Sequence, residues 1–155
     1  MTRLALLAAG AAGLTVLAIT PAHAHVGTAL LPGGHTQAVT SCGNSRLQAG
    51  LATRLCAEVT GTTVEFYGTV ALAGPPSKGS PPPAGRELFT TLTSEVAGGS
   101  TPQSQARPVI FTSANLEVRG LVSTVACGST VRGTFGVASF PWAANPVTHE
   151  VTVVC

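Results

Sequence analysis

Apolar and polar residues alternate along most of the chain, and this two-residue period restricts the fold more than any other feature of the sequence. In the stretch 64–72, Val64, Phe66 and Val70 share one parity, and the same alternation returns in 147–155. Because successive side chains of a β-strand point to opposite faces, such stretches predict strands with one buried side. The pattern predicts about seven short strands and an all-β, antiparallel β-sandwich of immunoglobulin-like architecture.

Glycine and proline mark where these strands end. Gly61 predicts a hairpin turn, and Gly120 predicts a bend or bulge in the strand around it. The proline-rich stretch 73–85 and the stretch 98–108 are predicted to be loops. Between them, 86–96 fits both a helical and a strand period, and its threonine content favours a strand.

The first 24 residues have the pattern of a secretory signal peptide. A basic residue precedes the apolar run 4–19, and small residues lead to a cleavage site after Ala24 or, alternatively, after Ala22. The run is shorter than the roughly 20 apolar residues that span a bilayer, so we expect cleavage rather than an anchor. The sequence therefore predicts a signal peptide at 1–24 and a single secreted, extracellular domain at 25–155 with no integral membrane span.

An even number of cysteines in an exported chain predicts disulfide bonds. The chain has four, at Cys42, Cys56, Cys127 and Cys155. A zinc site would bring its ligands in close pairs, and these cysteines are too far apart in sequence for that. Among the three connectivities that four cysteines allow, we favour Cys42 with Cys56 and Cys127 with Cys155, because local pairing closes each loop at modest entropic cost.

Composition argues against several classes of function. The chain has eight basic and six acidic residues, and the basic ones are scattered, so no nucleic-acid groove is predicted. All the acidic residues are glutamate, which excludes a Ser-His-Asp triad and an Asp-rich calcium loop. The stretch 43–47 lacks the closing glycine of a nucleophile elbow. We expect a protein that is not an enzyme, with an exported hydrolase as a remaining alternative.

Two single residues have both a structural and a functional interpretation. Trp142, the only tryptophan, lies between two prolines and is a candidate contact for a sugar ring or a protein partner. Its alternative role is to cap one end of the core, since tryptophan in a small domain is usually largely buried. His149 shares the parity of Val151 and Val153, which favours a half-buried histidine with one hydrogen bond over a ligand-binding one.

His25 has distinctive chemistry if cleavage exposes it. Its free amine and imidazole could chelate Cu(II), with His35 or His149 supplying a third nitrogen. This arrangement resembles the histidine brace of copper carriers and copper-dependent polysaccharide oxygenases, and the resemblance implies a copper site at these three histidines. Cleavage two residues earlier would instead place His25 third from the amine, a square-planar pattern. The alternative is chance placement in an ordinary export site, with no cofactor.

These observations favour a secreted, monomeric module with a non-enzymatic binding or cell-envelope role. Its size, composition and predicted disulfides are similar to those of small secreted actinobacterial β-sandwiches, which implies a bacterial, extracellular protein. The expected partner is a protein, a glycan or a small molecule and not nucleic acid, and no integral membrane span is expected after cleavage. The alternatives are an extracellular copper-binding protein that uses His25, and the exported hydrolase.

Overall fold

A computed structural model of the chain describes residues 37–79, 81, 84–99 and 101–155. These residues form nine strands and no helix. The strands are β1 (Val39–Cys42), β2 (Arg46–Gln48), β3 (Leu51–Thr60), β4 (Thr63–Leu72), β5 (Arg86–Val96), β6 (Gln103–Phe111), β7 (Asn115–Thr124), β8 (Thr130–Ala138) and β9 (Val147–Thr152). The predicted all-β, antiparallel class is confirmed. The sequence does not predict β1 and β2, because both are short and mostly exposed and so lack a clear alternation.

The strands form two antiparallel sheets. Sheet A has the order β1-β3-β4-β7, with β2 pairing beside β1 on β3, and sheet B has the order β6-β5-β8-β9. The inner faces of both sheets contribute to one hydrophobic core, in a sandwich-like arrangement. Val64, Phe66 and Val70, three residues of the predicted inner parity, are fully buried there.

Two phenylalanines interlock the sheets at the centre of the core. The ring of Phe66 on β4 lies where a Cβ on Gly133 would stand, and the ring of Phe135 on β8 lies where a Cβ on Gly68 would stand. Both rings are fully buried. Each strand therefore offers one aromatic ring and one glycine, and this exchange lets β4 and β8 approach closely.

Three local predictions from glycine and threonine are confirmed. Gly61 adopts a φ of 58° in the turn between β3 and β4. The register of β4 with β7 passes from Leu121 to Arg119, which leaves Gly120 as the extra residue of a bulge. The ambiguous stretch 86–96 is the strand β5.

The prediction of a loop over 98–108 is wrong, because β6 begins at Gln103. Six of its nine residues are exposed, and polar and apolar residues do not alternate along it, so the two-residue period is missing from the sequence. β5 supplies its backbone partners on one side only, which makes β6 an edge strand. An edge strand tolerates Pro108, which has no N–H to donate.

Both disulfides have the predicted connectivity. Cys42 and Cys56 lie opposite each other on β1 and β3, and their sulfurs are bonded. Cys127, in the turn before β8, is bonded to Cys155, beyond the end of β9. The backbone also closes this second loop, since Val153 N–H donates to the Ser129 carbonyl at 2.9 Å.

The predicted signal peptide, 1–24, lies outside the described residues. Within the described ranges, no helix is long and apolar enough to cross a membrane.

Candidate functional site

A tight turn at the end of β8 carries the most exposed aromatic side chains. Trp142 N–H donates to the Ser139 carbonyl at 2.6 Å, and Ser139 N–H donates to the Trp142 carbonyl at 3.1 Å. The peptide bond between Phe140 and Pro141 is cis, as in type VI turns. Phe140 is 92% exposed and Trp142 is 56% exposed. The interpretation of Trp142 as a core cap is therefore wrong, and its role as a ligand contact stays a prediction.

Sheet B anchors this turn and adds a third aromatic residue. The buried Ser139 hydroxyl donates to the Glu87 carbonyl at 2.9 Å, which ties the turn to β5. Phe89 on β5 pairs with Ala138, the last residue of β8, and is 51% exposed. The turn 139–142 is called the aromatic turn below, and Phe89 lies on the strand that supports it. This rigid support lowers the entropy lost on binding.

The segment after Trp142 is held against both sheets. Gly136 on β8 leaves room for this segment, since a Cβ there would meet Ala144 at 3.4 Å and Pro146 at 3.5 Å. The Asn145 N–H donates to Oε1 of Gln48 at 3.1 Å. Because Gln48 is buried, this bond fixes the backbone next to the aromatic turn.

A polar cleft of about 380 Å³ opens beside this segment. Its lining residues are Asn44, Ser45, Arg46, Pro146, Val147 and Thr148. Arg46 Nη1 donates to Oδ1 of Asn145, the residue before Pro146, at 3.5 Å. Amide, hydroxyl and guanidinium groups thus line a cavity whose wall at Pro146 lies four positions after Trp142 in the sequence.

Next to the cleft, the edges of the two sheets come close together. A Cβ on Gly43 would lie 3.0 Å from the Thr148 carbonyl oxygen and 3.2 Å from the Cβ of His149. The Ser41 hydroxyl and Nε2 of His149 share a hydrogen bond of 2.9 Å. Burial lowers the pKa of His149, which outweighs the opposite effects of Glu150 and Ser41. The half-buried histidine with one hydrogen bond is confirmed.

Of the three predicted copper ligands, the described residues include only His149. His25 and His35 lie outside them, so the copper site stays a prediction. In the part of the chain that the structure describes, no three His, Cys or Glu side chains are grouped to hold a metal ion. The Ser41–His149 contact is a nucleophile beside a base, but no carboxylate is hydrogen-bonded to this histidine within 37–79, 81, 84–99 and 101–155.

The outer face of sheet A has a separate charged cluster around Arg119. Its guanidinium donates to Glu117 at 2.6 Å, to Glu65 at 3.1 Å and to Glu58 at 3.3 Å. The guanidinium carbon also lies 4.5 Å from the centre of the Tyr67 ring. Hydrogen bonding to Glu117, followed by the other carboxylates, raises the pKa of Arg119. One cation therefore links three strands of the sheet.

No family model matches the chain, and no curated protein or solved structure is similar enough to match it. Sequence reasoning singled out Trp142 but missed Phe140 and Phe89 beside it, and missed Gln48 and Arg46. The signal available for Phe140 was its position next to proline at the end of a predicted strand.

Proposed function

We propose that this chain is a secreted, non-enzymatic module with an immunoglobulin-like β-sandwich that binds a polysaccharide of the cell envelope. The observation that carries the proposal is the exposure of Phe140 and Trp142 on a turn fixed by hydrogen bonds to its own strand and to β5. Exposed aromatic side chains on a rigid support mark a binding surface more often than a structural need. Two disulfides suit a module that works outside the cell.

The polar cleft favours a glycan over a purely apolar partner. An aromatic ring offers a flat apolar face to the C–H face of a sugar, while sugar hydroxyls need hydrogen-bond partners at their rim. Asn44, Ser45 and Thr148 line the adjacent cleft and supply amide and hydroxyl groups for that purpose. The turn itself, 139–142, contains no charged residue, so ionic lipid headgroups have no complement there.

Co-sedimentation with insoluble polysaccharides tests the proposal. The wild-type protein is incubated with cellulose, chitin, pectin and purified bacterial cell walls, and the fraction bound is measured. We expect binding to at least one polymer and an about tenfold loss of affinity in Trp142→Ala and in Phe140→Ala, as for other exposed aromatic anchors. Val122→Ala is the matched control, because Val122 is 53% exposed on the outer face of sheet A.

Intrinsic fluorescence gives a second readout, since the chain has a single tryptophan. A soluble oligosaccharide of the bound polymer should shift the emission of Trp142 in the wild-type protein and in Val122→Ala. Binding that is unchanged in both aromatic variants would contradict the proposal, as would binding to a protein partner alone. Mass spectrometry of the exported protein checks secretion, with a mature chain that begins at His25 as the expected result.

A further inference from the structure

We infer that the polar cleft at Arg46 binds the carboxylate of an acidic sugar, so that the polysaccharide is one that contains uronic acid. The inference rests on the proposed function and names the class of ligand for the same site. It is carried by the charge and the hydrogen-bonding groups of the cleft, independently of the aromatic turn.

Arg46 is a cation without a carboxylate partner among the residues that the structure describes. All four ion pairs found in those residues involve other arginines: three belong to Arg119 and one to Arg132. The side chain of Arg46 has one hydrogen bond there, the 3.5 Å contact with the neutral amide of Asn145. Such a long bond to a neutral group leaves most of the donors of a guanidinium available to a ligand.

The other lining residues suit an anion. Asn44, Ser45 and Thr148 bring neutral polar groups to the same cleft, and no glutamate lines it. A carboxylate placed there would pair with Arg46, in a bidentate geometry that arginine favours, without facing a like charge. The Ser45 hydroxyl already donates to the Thr53 carbonyl at 3.2 Å, so it would accept from a sugar hydroxyl.

Partly buried hydrogen bonds hold the backbone in place on both sides of the cleft. On one side, the Arg46 carbonyl accepts from the Thr53 hydroxyl at 2.8 Å. On the other, the backbone of Asn145 is fixed by the side chain of Gln48. Arg46 and Trp142 thus belong to one supported surface, since only three residues separate Trp142 from Pro146, a span of at most roughly 14 Å of extended chain. One oligosaccharide can reach both.

Titration with a matched pair of oligosaccharides tests the inference. The probes are an oligogalacturonate and the same oligomer with its carboxylates methyl-esterified, which keeps the sugar and removes the charge. We expect the acid to bind about tenfold more tightly than the ester at low salt, and the difference to shrink as salt is added. Tryptophan fluorescence and calorimetry measure both affinities.

Arg46→Gln should lower the affinity for the acid to that for the ester and leave the affinity for the ester unchanged. Arg46→Lys should keep part of the preference, because charge remains while the bidentate fork is lost. Arg54→Gln is the control, since Arg54 is another exposed arginine of sheet A with no ion pair among the described residues. Each variant must unfold at the wild-type denaturant midpoint.

The outcomes separate the two proposals. Equal binding of acid and ester by the wild-type protein, or a preference that survives Arg46→Gln, overturns the inference while Trp142-dependent binding stands. If Trp142→Ala binds both the acid and the ester as tightly as the wild-type protein does, the proposed function itself is overturned. A polyglycerol phosphate that binds more tightly than the oligogalacturonate through Arg46 would assign the cleft to phosphate and also overturn the inference.

Discussion

The side chain of Gln48 serves as a strand partner for Val137: its Oε1 accepts the Val137 N–H at 2.9 Å. The same amide donates from Nε2 to the Phe135 carbonyl at 3.1 Å. Pairing between β8 and β9 does not extend beyond Phe135. There the Gln48 side chain, from sheet A, supplies the hydrogen-bond partners of β8 that β9 does not. One amide group thereby replaces a peptide unit at this point.

Replacing Gln48 with leucine should destabilise the protein by about 3 kcal/mol, since buried backbone groups of β8 would lose their partners. Urea unfolding followed by circular dichroism measures the change. Gln103→Leu is the control, because Gln103 is exposed on β6. A loss of stability no larger in Gln48→Leu than in the control would contradict this role.

Gly68→Ala tests the close packing of β4 against β8, where each strand places a phenylalanine ring against a glycine of the other. The new methyl group would overlap the ring of Phe135, and overpacking of this kind costs about 2 kcal/mol. Thermal unfolding should detect it. Gly74→Ala introduces the same methyl group where nothing lies within 4 Å, and its stability should match the wild type. Phe135→Leu should partly rescue Gly68→Ala; an additive loss in the double variant would refute the overlap.

Strands whose own residues alternate between apolar and polar could be predicted from the sequence. Strands that form only because a neighbouring strand pairs with them could not. Alternation over 64–72 follows from burial of one face, so β4 could be predicted. β6 is a strand because β5 provides backbone partners, and its polar residues show no trace of that pairing. The role of Gln48 likewise depends on where β9 begins to pair with β8, a property of the assembled sheets.

We expect His149 to make the folded protein less stable at acidic pH. Its pKa is lowered by burial in the folded protein, so the unfolded chain binds the proton more readily. The stability contribution of neutral His149 is therefore present above about pH 6.5 and is lost as the pH falls through its lower folded-state pKa. His149→Gln keeps an amide near Ser41 and cannot titrate, so it should flatten this part of the stability curve.

Denaturant midpoints for both proteins between pH 7.5 and 5 measure the difference. The other histidines are common to wild type and variant, so they cancel in the comparison. Parallel pH curves for the two proteins would show that His149 does not contribute.

We expect Arg119→Gln to lower the stability of the protein by an amount that depends on salt. Glu58 and Glu65 are direct cross-strand neighbours, so Arg119→Gln leaves like charges facing each other. Stability should fall more at 10 mM than at 500 mM NaCl, because salt screens exposed charges. Glu65→Gln in the same chain should recover part of the loss. An effect independent of salt would mean that Arg119 acts through its contact with Tyr67 instead.

The candidate site was only partly predictable for a related reason. Trp142 stands out in composition, but its exposure depends on the turn that Ser139 closes and on the bond from Ser139 to β5. Arg46 and Asn145 are about a hundred residues apart in the sequence and meet only because β2 and the segment before β9 lie side by side. Neither residue has a local pattern that marks it.

The two disulfides also define a path for mechanical load. A force applied at Cys155 is transmitted through the disulfide to Cys127, so the backbone of β8 and β9 is not stretched. A pull applied at Cys42 passes to Cys56 and likewise bypasses β2. Tension between these points acts on 57–126 alone, which leaves the turn that presents Trp142 in the part of the chain that force does not extend.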